Sequence, residues 1–238
     1  MVDLDASLTE KARILNASLE GAAPEVVIDA IRETVAPGRF AVVSSFGTES
    51  AVLLDAMARV DGTIEVLLLD TGWLFPETLD YRDRLVDRLR LTNVRSLHPD
   101  AADQAERDPE EFLWASDPDA CCHMRKVRPL ERALDGMAAW ANGRKRYHGG
   151  QRSRIPVVEV EGPRLKVNPL AALDPKDVEQ RFESLNLPRH PMQDKGYDSV
   201  GCIPCTSRRR PGEEVRDGRW RGMAKTECGI HMLGPVGC

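Results

Sequence analysis

The sequence lacks a long hydrophobic run, and no stretch approaches the roughly 20 apolar residues that a membrane span requires. It also lacks the basic and then apolar start of a signal peptide, because residues 1–5 read MVDLD. Internal repeats and low-complexity tracts are absent too. We therefore expect a globular, cytoplasmic protein that does not act at a membrane.

An excess of positive charge is also missing, since the net charge is −5, and bulk electrostatics does not favour nucleic acid. Basic side chains are nevertheless clustered along the chain. The clusters are Arg125, Lys126 and Arg128; Arg144, Lys145, Arg146, Arg152 and Arg154; and Arg208, Arg209, Arg210, Arg216 and Arg219. Each could be solvated surface, but their position beside cysteine pairs favours a site for an anionic small molecule.

Short apolar segments alternate with helical patterns through the first two thirds of the chain. The predicted strands are Phe40–Ser45, Ile64–Leu69, Val94–Leu97, Val157–Glu161 and Arg164–Val167, and a helix is predicted from Met124 to Ala139. This order predicts an α/β fold with a doubly wound, mostly parallel sheet. We expect a helical segment over 1–35, an α/β domain over 36–206, and a basic, loop-rich, mobile segment over 207–238.

Two strand ends carry residues that suit a nucleotide. Ser44, Ser45, Gly47 and Thr48 form a turn into a helix, where hydroxyl and backbone N–H groups can bind a phosphate or sulfate. The next strand ends in Asp70-Thr71-Gly72, at the edge of the sheet where α/β proteins bind ligands. Either turn alone could be an ordinary loop, but the two together predict a nucleotide pocket.

Four of the six cysteines form two tight pairs, Cys121-Cys122 and Cys202-x-x-Cys205. Clustered thiols in a reducing compartment bind metal more often than they form disulfides. Adjacent cysteines suit one small ion poorly, whereas a four-iron cube offers each thiolate its own iron. The spacing therefore favours a [4Fe-4S] cluster over zinc.

A fifth cysteine, Cys228, lies in the segment 225–231, close to basic residues that could favour its thiolate. An unreactive thiol is the alternative. The sixth, Cys238, could resolve a bond to Cys228 or could be incidental.

These segments together resemble the thiol-dependent assimilatory adenylylsulfate and phosphoadenylylsulfate reductases. The resemblance runs from about Phe40 to His231 and lies in Ser44-Ser45-Phe46-Gly47, Leu69-Asp70-Thr71-Gly72, Cys121-Cys122-x-x-Arg125-Lys126, Gly201-Cys202-x-Pro204-Cys205 and Glu227-Cys228-Gly229-x-His231. Family members with both cysteine pairs usually use adenylylsulfate and carry a [4Fe-4S] cluster. Lys145 and His148 stand where the family usually has arginine and glutamine.

The resemblance implies a fold of the adenine-nucleotide alpha-hydrolase (PP-loop-like) kind and a two-step reaction. The Cys228 thiolate would attack the sulfate sulfur of adenylylsulfate, expel AMP and become S-sulfocysteine. Thioredoxin, or a glutaredoxin-like dithiol, would then release sulfite. Cations would neutralise the leaving AMP, and the residues implied are Lys126, Arg152, Arg216 and Arg219.

Three alternatives stay open at this point. The enzyme could use the 3′-phosphorylated substrate or both substrates. An ATP-dependent RNA-thiolating enzyme could share the sheet, although its Ser-Gly-Gly-x-Asp-Ser turn differs from residues 45–50 here. A non-enzymatic redox sensor is the third, and the oligomeric state, including a homo-oligomer, is undetermined.

Overall fold

The computed structural model describes residues 4–231, so Cys238 lies outside the described residues. Its helices are α1 (Leu4–Leu19), α2 (Pro24–Thr34), α3 (Ser50–Asp61), α4 (Pro76–Leu89), α5 (Ala101–Arg107), α6 (Leu113–Ser116), α7 (Pro118–Cys122), α8 (Arg128–Ala133) and α9 (Pro175–Ser184). The strands are β1 (Phe40–Val43), β2 (Glu65–Leu69), β3 (Val94–Leu97), β4 (Ala139–Ala141), β5 (Val158–Glu161) and β6 (Arg164–Val167). No helix within 4–231 is both long and apolar enough to cross a membrane.

The six strands form one sheet in the order β3-β2-β1-β4-β6-β5. All neighbours run parallel except the β5–β6 hairpin, which turns through Gly162-Pro163. Val42 packs in one core cluster with the helices α2 and α3, whereas its neighbour Val43 packs in a second cluster with α8. Because alternate residues of a strand point to opposite faces, helices cover both faces. The α/β, mostly parallel prediction is confirmed.

The predicted helix from Met124 to Ala139 is wrong in its second half. The segment starts as a π-helical turn over His123–Val127 and continues as α8, which ends at Ala133. Gly136 then adopts a φ of 76°, a left-handed conformation that a helix cannot continue through. Ala139–Ala141 instead forms β4, which pairs with both β1 and β6 at the centre of the sheet.

The strand order places the site. Strands β2 and β4 flank β1 on opposite sides, and such a reversal opens a crevice beyond the carboxyl ends of the strands. The chain after α9 contains only short 3-10 turns and isolated bridges as far as residue 231. One bridge pairs Leu74 with Cys202, and another pairs Thr206 with Arg219. This loop-rich segment therefore returns across the crevice at the end of β2.

Candidate active site

A cavity of about 190 Å³ lies at the carboxyl edge of the sheet. Nine of the residues predicted as substrate-binding or catalytic line it: Ser44, Ser45, Gly47, Thr48, Lys126, Arg152, Arg216, Arg219 and Cys228. The turn after β1 and the C-terminal segment thus meet across one space. Asp70, Thr71 and Gly72, which were also predicted to bind substrate, are not among the residues that line this cavity.

The turn after β1 is strained. Phe46 is fully buried and has a φ of 47°, a conformation that costs a residue with a side chain of order 1 kcal/mol or more. Its backbone N–H donates to Ser44 Oγ at 3.2 Å. A Cβ at Gly47 would lie 3.5 Å from the Val200 carbonyl oxygen, so the turn packs closely against the C-terminal segment. The Thr48 hydroxyl donates to the Asp198 carbonyl and so helps to fix that contact.

Glu49, which the sequence analysis did not single out, links this turn to the loop after β4. Its carboxylate accepts a hydrogen bond from the Tyr147 hydroxyl at 2.5 Å and pairs with Lys145 Nζ at 2.7 Å. His148 Nε2 lies 3.1 Å from the same carboxylate. Burial opposes ionisation, but Lys145 and His148 outweigh it and hold the pKa of Glu49 well below its usual value. Lys145 is therefore neutralised rather than free to bind an anion.

The loop at Asp70-Thr71-Gly72 supports the cysteines rather than the cavity wall. Thr71 is fully buried, and its Oγ1 lies 3.2 Å from Cys202 Sγ. Its carbonyl accepts a hydrogen bond from Arg125, whose guanidinium group pairs with Asp108 at 2.8 Å and stacks on Trp73. The loop therefore contacts Cys202 through the Thr71 hydroxyl. Through the Thr71 carbonyl it also holds Arg125, which lies in the turn after Cys121-Cys122.

The cysteine pairs come from two elements. Cys121 and Cys122 end α7, directly before the π-helical turn, whereas Cys202 precedes a 3-10 turn that ends at Cys205. All four are buried, with 5–8% of their surface exposed, and none is in a disulfide. Burial raises the pKa of the Cys121 thiol to about 11.

The donor set fits an iron-sulfur cluster in its chemistry. Four buried thiols are the ligands that such clusters use, and a hydroxyl beside one sulfur is a typical outer-shell donor. Cations lie close by, because Arg125 and Lys126 follow the first pair within the π-helical turn. Within residues 4–231, no three His, Cys, Asp or Glu side chains converge on the position of a single metal ion.

Cys228 lies half-buried in the cavity wall, next to both cysteine pairs. A hydrogen bond from the Cys122 thiol lowers the pKa of Cys228, burial opposes this, and the charges of Lys126 and Arg219 lower it further. The pKa of Cys228 therefore lies below that of an ordinary thiol, and the charges of Lys126 and Arg219 favour the nucleophilic thiolate also where Cys122 binds a metal and donates no hydrogen bond.

Arg219 holds its position beside Cys228 through three contacts. Its guanidinium group lies 4.6 Å from the centre of the Trp220 ring, and its Nε donates to the Cys205 carbonyl at 3.1 Å. The third contact is with Gly201, where a Cβ would overlap the guanidinium group. Glycine at 201 is therefore required for this arginine to lie flat over the backbone, a constraint that the sequence alone did not reveal.

Arg152 and Arg216 share one carboxylate. Glu227 Oε2 accepts from Arg152 Nε at 2.5 Å, and Oε1 accepts from Arg152 Nη2 at 2.7 Å and from Arg216 Nη2 at 3.2 Å. Burial acts to raise the pKa of Glu227, but the hydrogen bond and charge of Arg152 and the charge of Arg216 lower it to about 2. Of the four cations predicted to face the substrate, two are thus held by Glu227, whereas the charges of Lys126 and Arg219 lower the pKa of Cys228.

The family model for the phosphoadenosine phosphosulfate reductase domain matches residues 39–208. A protein of Chelativorans sp. named adenosine 5'-phosphosulfate reductase is 44% identical over 97% of this chain and 94% of its own. The chain belongs to this family. Its matched region includes both cysteine pairs and the turn after β1, and ends before the segment that carries Cys228.

Solved structures agree on the fold of this reductase family member. Phosphoadenylyl-sulfate reductase from Candida auris superposes with a TM-score of 0.70 at 25% identity, over 83% of this chain and 97% of that one. Yeast FAD synthetase superposes with a TM-score of 0.52 at 14% identity, over 87% of this chain and 69% of that one. The second likeness concerns the fold alone and agrees with the predicted PP-loop-like architecture.

Proposed function

We propose that the protein reduces adenylylsulfate to sulfite and AMP in sulfate assimilation, through a Cys228 S-sulfocysteine. The observation that carries the proposal is the position of Cys228 in the cavity wall, with Lys126 and Arg219 beside it and the turn after β1 lining the same cavity. The name of the Chelativorans relative, adenosine 5'-phosphosulfate reductase, supports adenylylsulfate as the substrate.

In the first step, the Cys228 thiolate attacks the sulfur of the sulfate group. A bond between Cys228 Sγ and that sulfur forms, the bond from sulfur to the bridging oxygen breaks, and AMP leaves with the electron pair. Lys126 and Arg219 stabilise the charge that develops on the sulfate and phosphate oxygens. The Ser44 and Ser45 hydroxyls and the turn at Gly47 bind the nucleotide at the opposite wall.

In the second step, thioredoxin or a similar dithiol protein restores the enzyme. Its thiolate attacks Cys228 Sγ, sulfite leaves with the electron pair, and a mixed disulfide forms. The second thiol of the donor then displaces Cys228 as a free thiol. The two electrons that reduce sulfur therefore come from the dithiol, which becomes a disulfide.

Cys121, Cys122, Cys202 and Cys205 would hold a [4Fe-4S] cluster. When bound, the cluster would order the π-helical turn and the 3-10 turn and add its charge beside Lys126. Lys126 lies in the turn that follows Cys122. Fixing this turn would therefore also fix the position of the Lys126 charge relative to the Cys228 thiolate.

The test is sulfite release by anaerobically purified protein with thioredoxin, comparing adenylylsulfate with its 3′-phosphorylated form. We expect kcat/KM to favour adenylylsulfate by about tenfold or more, or roughly 1.4 kcal/mol in transition-state binding. The opposite preference would assign the protein to the phosphoadenylylsulfate branch of the family. Absence of sulfite from both substrates would contradict the proposal, and pyrophosphate release from ATP would then support the RNA-thiolating alternative.

A further inference from the structure

The Glu227 carboxylate accepts four hydrogen bonds. Besides three hydrogen bonds from Arg152 and Arg216, Oε1 accepts the backbone N–H of Cys228 at 2.9 Å. Only 6% of the Glu227 side chain is exposed, against 10% for Arg152. A buried carboxylate that accepts four hydrogen bonds, and that precedes the nucleophile in the sequence, fixes the backbone from which the nucleophile projects.

This carboxylate joins two separate parts of the molecule. Arg152 belongs to a 3-10 turn that follows β4, whereas Glu227 and Arg216 belong to the C-terminal segment. Other contacts also hold the segment: Lys225 pairs with the exposed Asp119, Lys166 Nζ donates to the Ile230 carbonyl at 3.3 Å, and the Ile230 side chain packs in the second core cluster. Among the ion pairs that tie this segment to the rest of the described residues, Arg152–Glu227 is both buried and bidentate, so removing its charge should be costly.

The two steps of the proposed reaction need different access to Cys228. In the closed position the residue is half-buried, it lines the substrate cavity, and it packs against Cys202, Cys205 and Trp220. That position suits attack on a substrate inside the cavity. A dithiol protein must instead approach Cys228 Sγ from outside and opposite to the leaving sulfite, so the segment has to open.

We propose that Glu227 is a positioning residue that latches the C-terminal segment over the cavity for the first step and must release Arg152 before the second. This inference rests on the proposed function. The phosphate of the leaving AMP and the sulfonate on Cys228 are oxyanions, and both can accept hydrogen bonds from a guanidinium group as a carboxylate does. Either group can therefore replace Glu227 as the hydrogen-bond acceptor of Arg152 and Arg216. Because the pKa of Glu227 is lowered to about 2, the latch stays ionised and opens by this exchange, not by protonation near pH 7.

The variant Glu227→Gln removes the charge and keeps the shape of the side chain, and Glu227→Asp keeps the charge. The matched control is Glu213→Gln, because Glu213 pairs with Arg221 inside the same segment and does not tie it to the rest of the fold. Iron content, acid-labile sulfide and thermal unfolding are compared first, so that only folded proteins with equal iron and sulfide are used.

The first measurement is trypsin cleavage within residues 207–231, which needs no substrate. We expect Glu227→Gln to be cleaved about tenfold faster than wild type, since an open segment is accessible in proportion to its population. Glu213→Gln and Glu227→Asp should stay close to wild type. Equal cleavage of Glu227→Gln and wild type would overturn the latch, whatever the activity of the protein.

The second measurement separates the two chemical steps. AMP release and S-sulfonation of Cys228 are followed in one turnover without a reductant, and sulfite release is followed after thioredoxin is added to sulfonated protein. Glu227→Gln should slow the first step by about tenfold or more, because the nucleophile is misplaced, and should not slow the second. Equal loss in both steps would indicate a general structural defect and overturn the latch. Wild-type protein that never becomes sulfonated would instead contradict the proposed function.

Discussion

A methyl group at Gly201 should disable Arg219 without touching any residue that reacts. The added Cβ in Gly201→Ala would overlap the guanidinium group, so Arg219 must leave its place over Trp220 and lose the hydrogen bond to the Cys205 carbonyl. A hydrogen bond from a charged donor and a cation–π contact together hold the arginine with about 2 kcal/mol. The population with Arg219 beside Cys228 should then fall about thirtyfold.

We therefore expect kcat/KM for adenylylsulfate to fall about thirtyfold in Gly201→Ala, with iron and sulfide content unchanged. The control is Gly62→Ala, at a glycine far along the chain whose added Cβ would lie 3.4 Å from the Arg90 carbonyl oxygen. Sulfite release is measured under anaerobic conditions for both variants. The control should retain wild-type kcat/KM.

A double-mutant cycle tests whether Gly201 acts through Arg219. If it does, Gly201→Ala should change the kcat/KM of an Arg219→Ala protein by no more than about threefold. A full thirtyfold loss in that background would refute the reasoning, because the methyl group would then act through some other contact. Wild-type activity of the single variant Gly201→Ala would refute it as well.

Three further predictions concern the nucleophile, a buried ion pair and a buried histidine. Cys228→Ser should abolish sulfite release and keep the brown chromophore, whereas Cys121→Ser should lose both; a Cys228→Ser protein with normal turnover would contradict the assignment. Asp108→Asn leaves the buried Arg125 charge without its charged partner and should lower the free energy of unfolding in urea by about 3 kcal/mol. The control Asp83→Asn removes an exposed partner of Arg82 and should lower the free energy of unfolding by less than about 1 kcal/mol. Burial, with the nearby charge of Arg84, lowers the pKa of His190 to about 4. As pH falls, the histidine therefore takes up a proton in the unfolded chain before it does so in the folded protein, and Tm should drop between about pH 6.5 and pH 4. The drop should be smaller in His190→Asn. An equal drop in both proteins would show that other groups cause it.

The sequence predicts the sheet well wherever strands are short apolar runs bounded by turn residues. Val94–Leu97 matches β3 at both ends, and the hairpin around Gly162-Pro163 forms as expected. The sequence predicts a helix as far as Ala139 and no strand at Ala139–Ala141, because alanine has a high helix propensity and the run is too short to show a strand period. The pairing of β4 with β1 and β6 decides its conformation, and such long-range pairing leaves no local pattern.

The basic residues of the site show a different limit. The sequence identifies cations, but it does not say which of them already have a partner. Lys145 pairs with Glu49, and Arg152 and Arg216 pair with Glu227, although Glu49 lies about a hundred residues from Lys145 in the chain. A count of cations therefore overstates the charge that a substrate would meet.

The partners that the fold assigns also explain how one cavity can serve a dianionic substrate and a thiolate. Glu49 neutralises Lys145, and Glu227 leaves one net positive charge on the pair Arg152 and Arg216. Lys126 and Arg219 add two more beside Cys228. These positive charges attract both the adenylylsulfate anion and the thiolate, so the nucleophile and its substrate can share the cavity without strong repulsion. A 3′-phosphate would need a further cation, whereas Lys145, Arg152 and Arg216 already have carboxylate partners, and this is a physical reason to expect the unphosphorylated nucleotide.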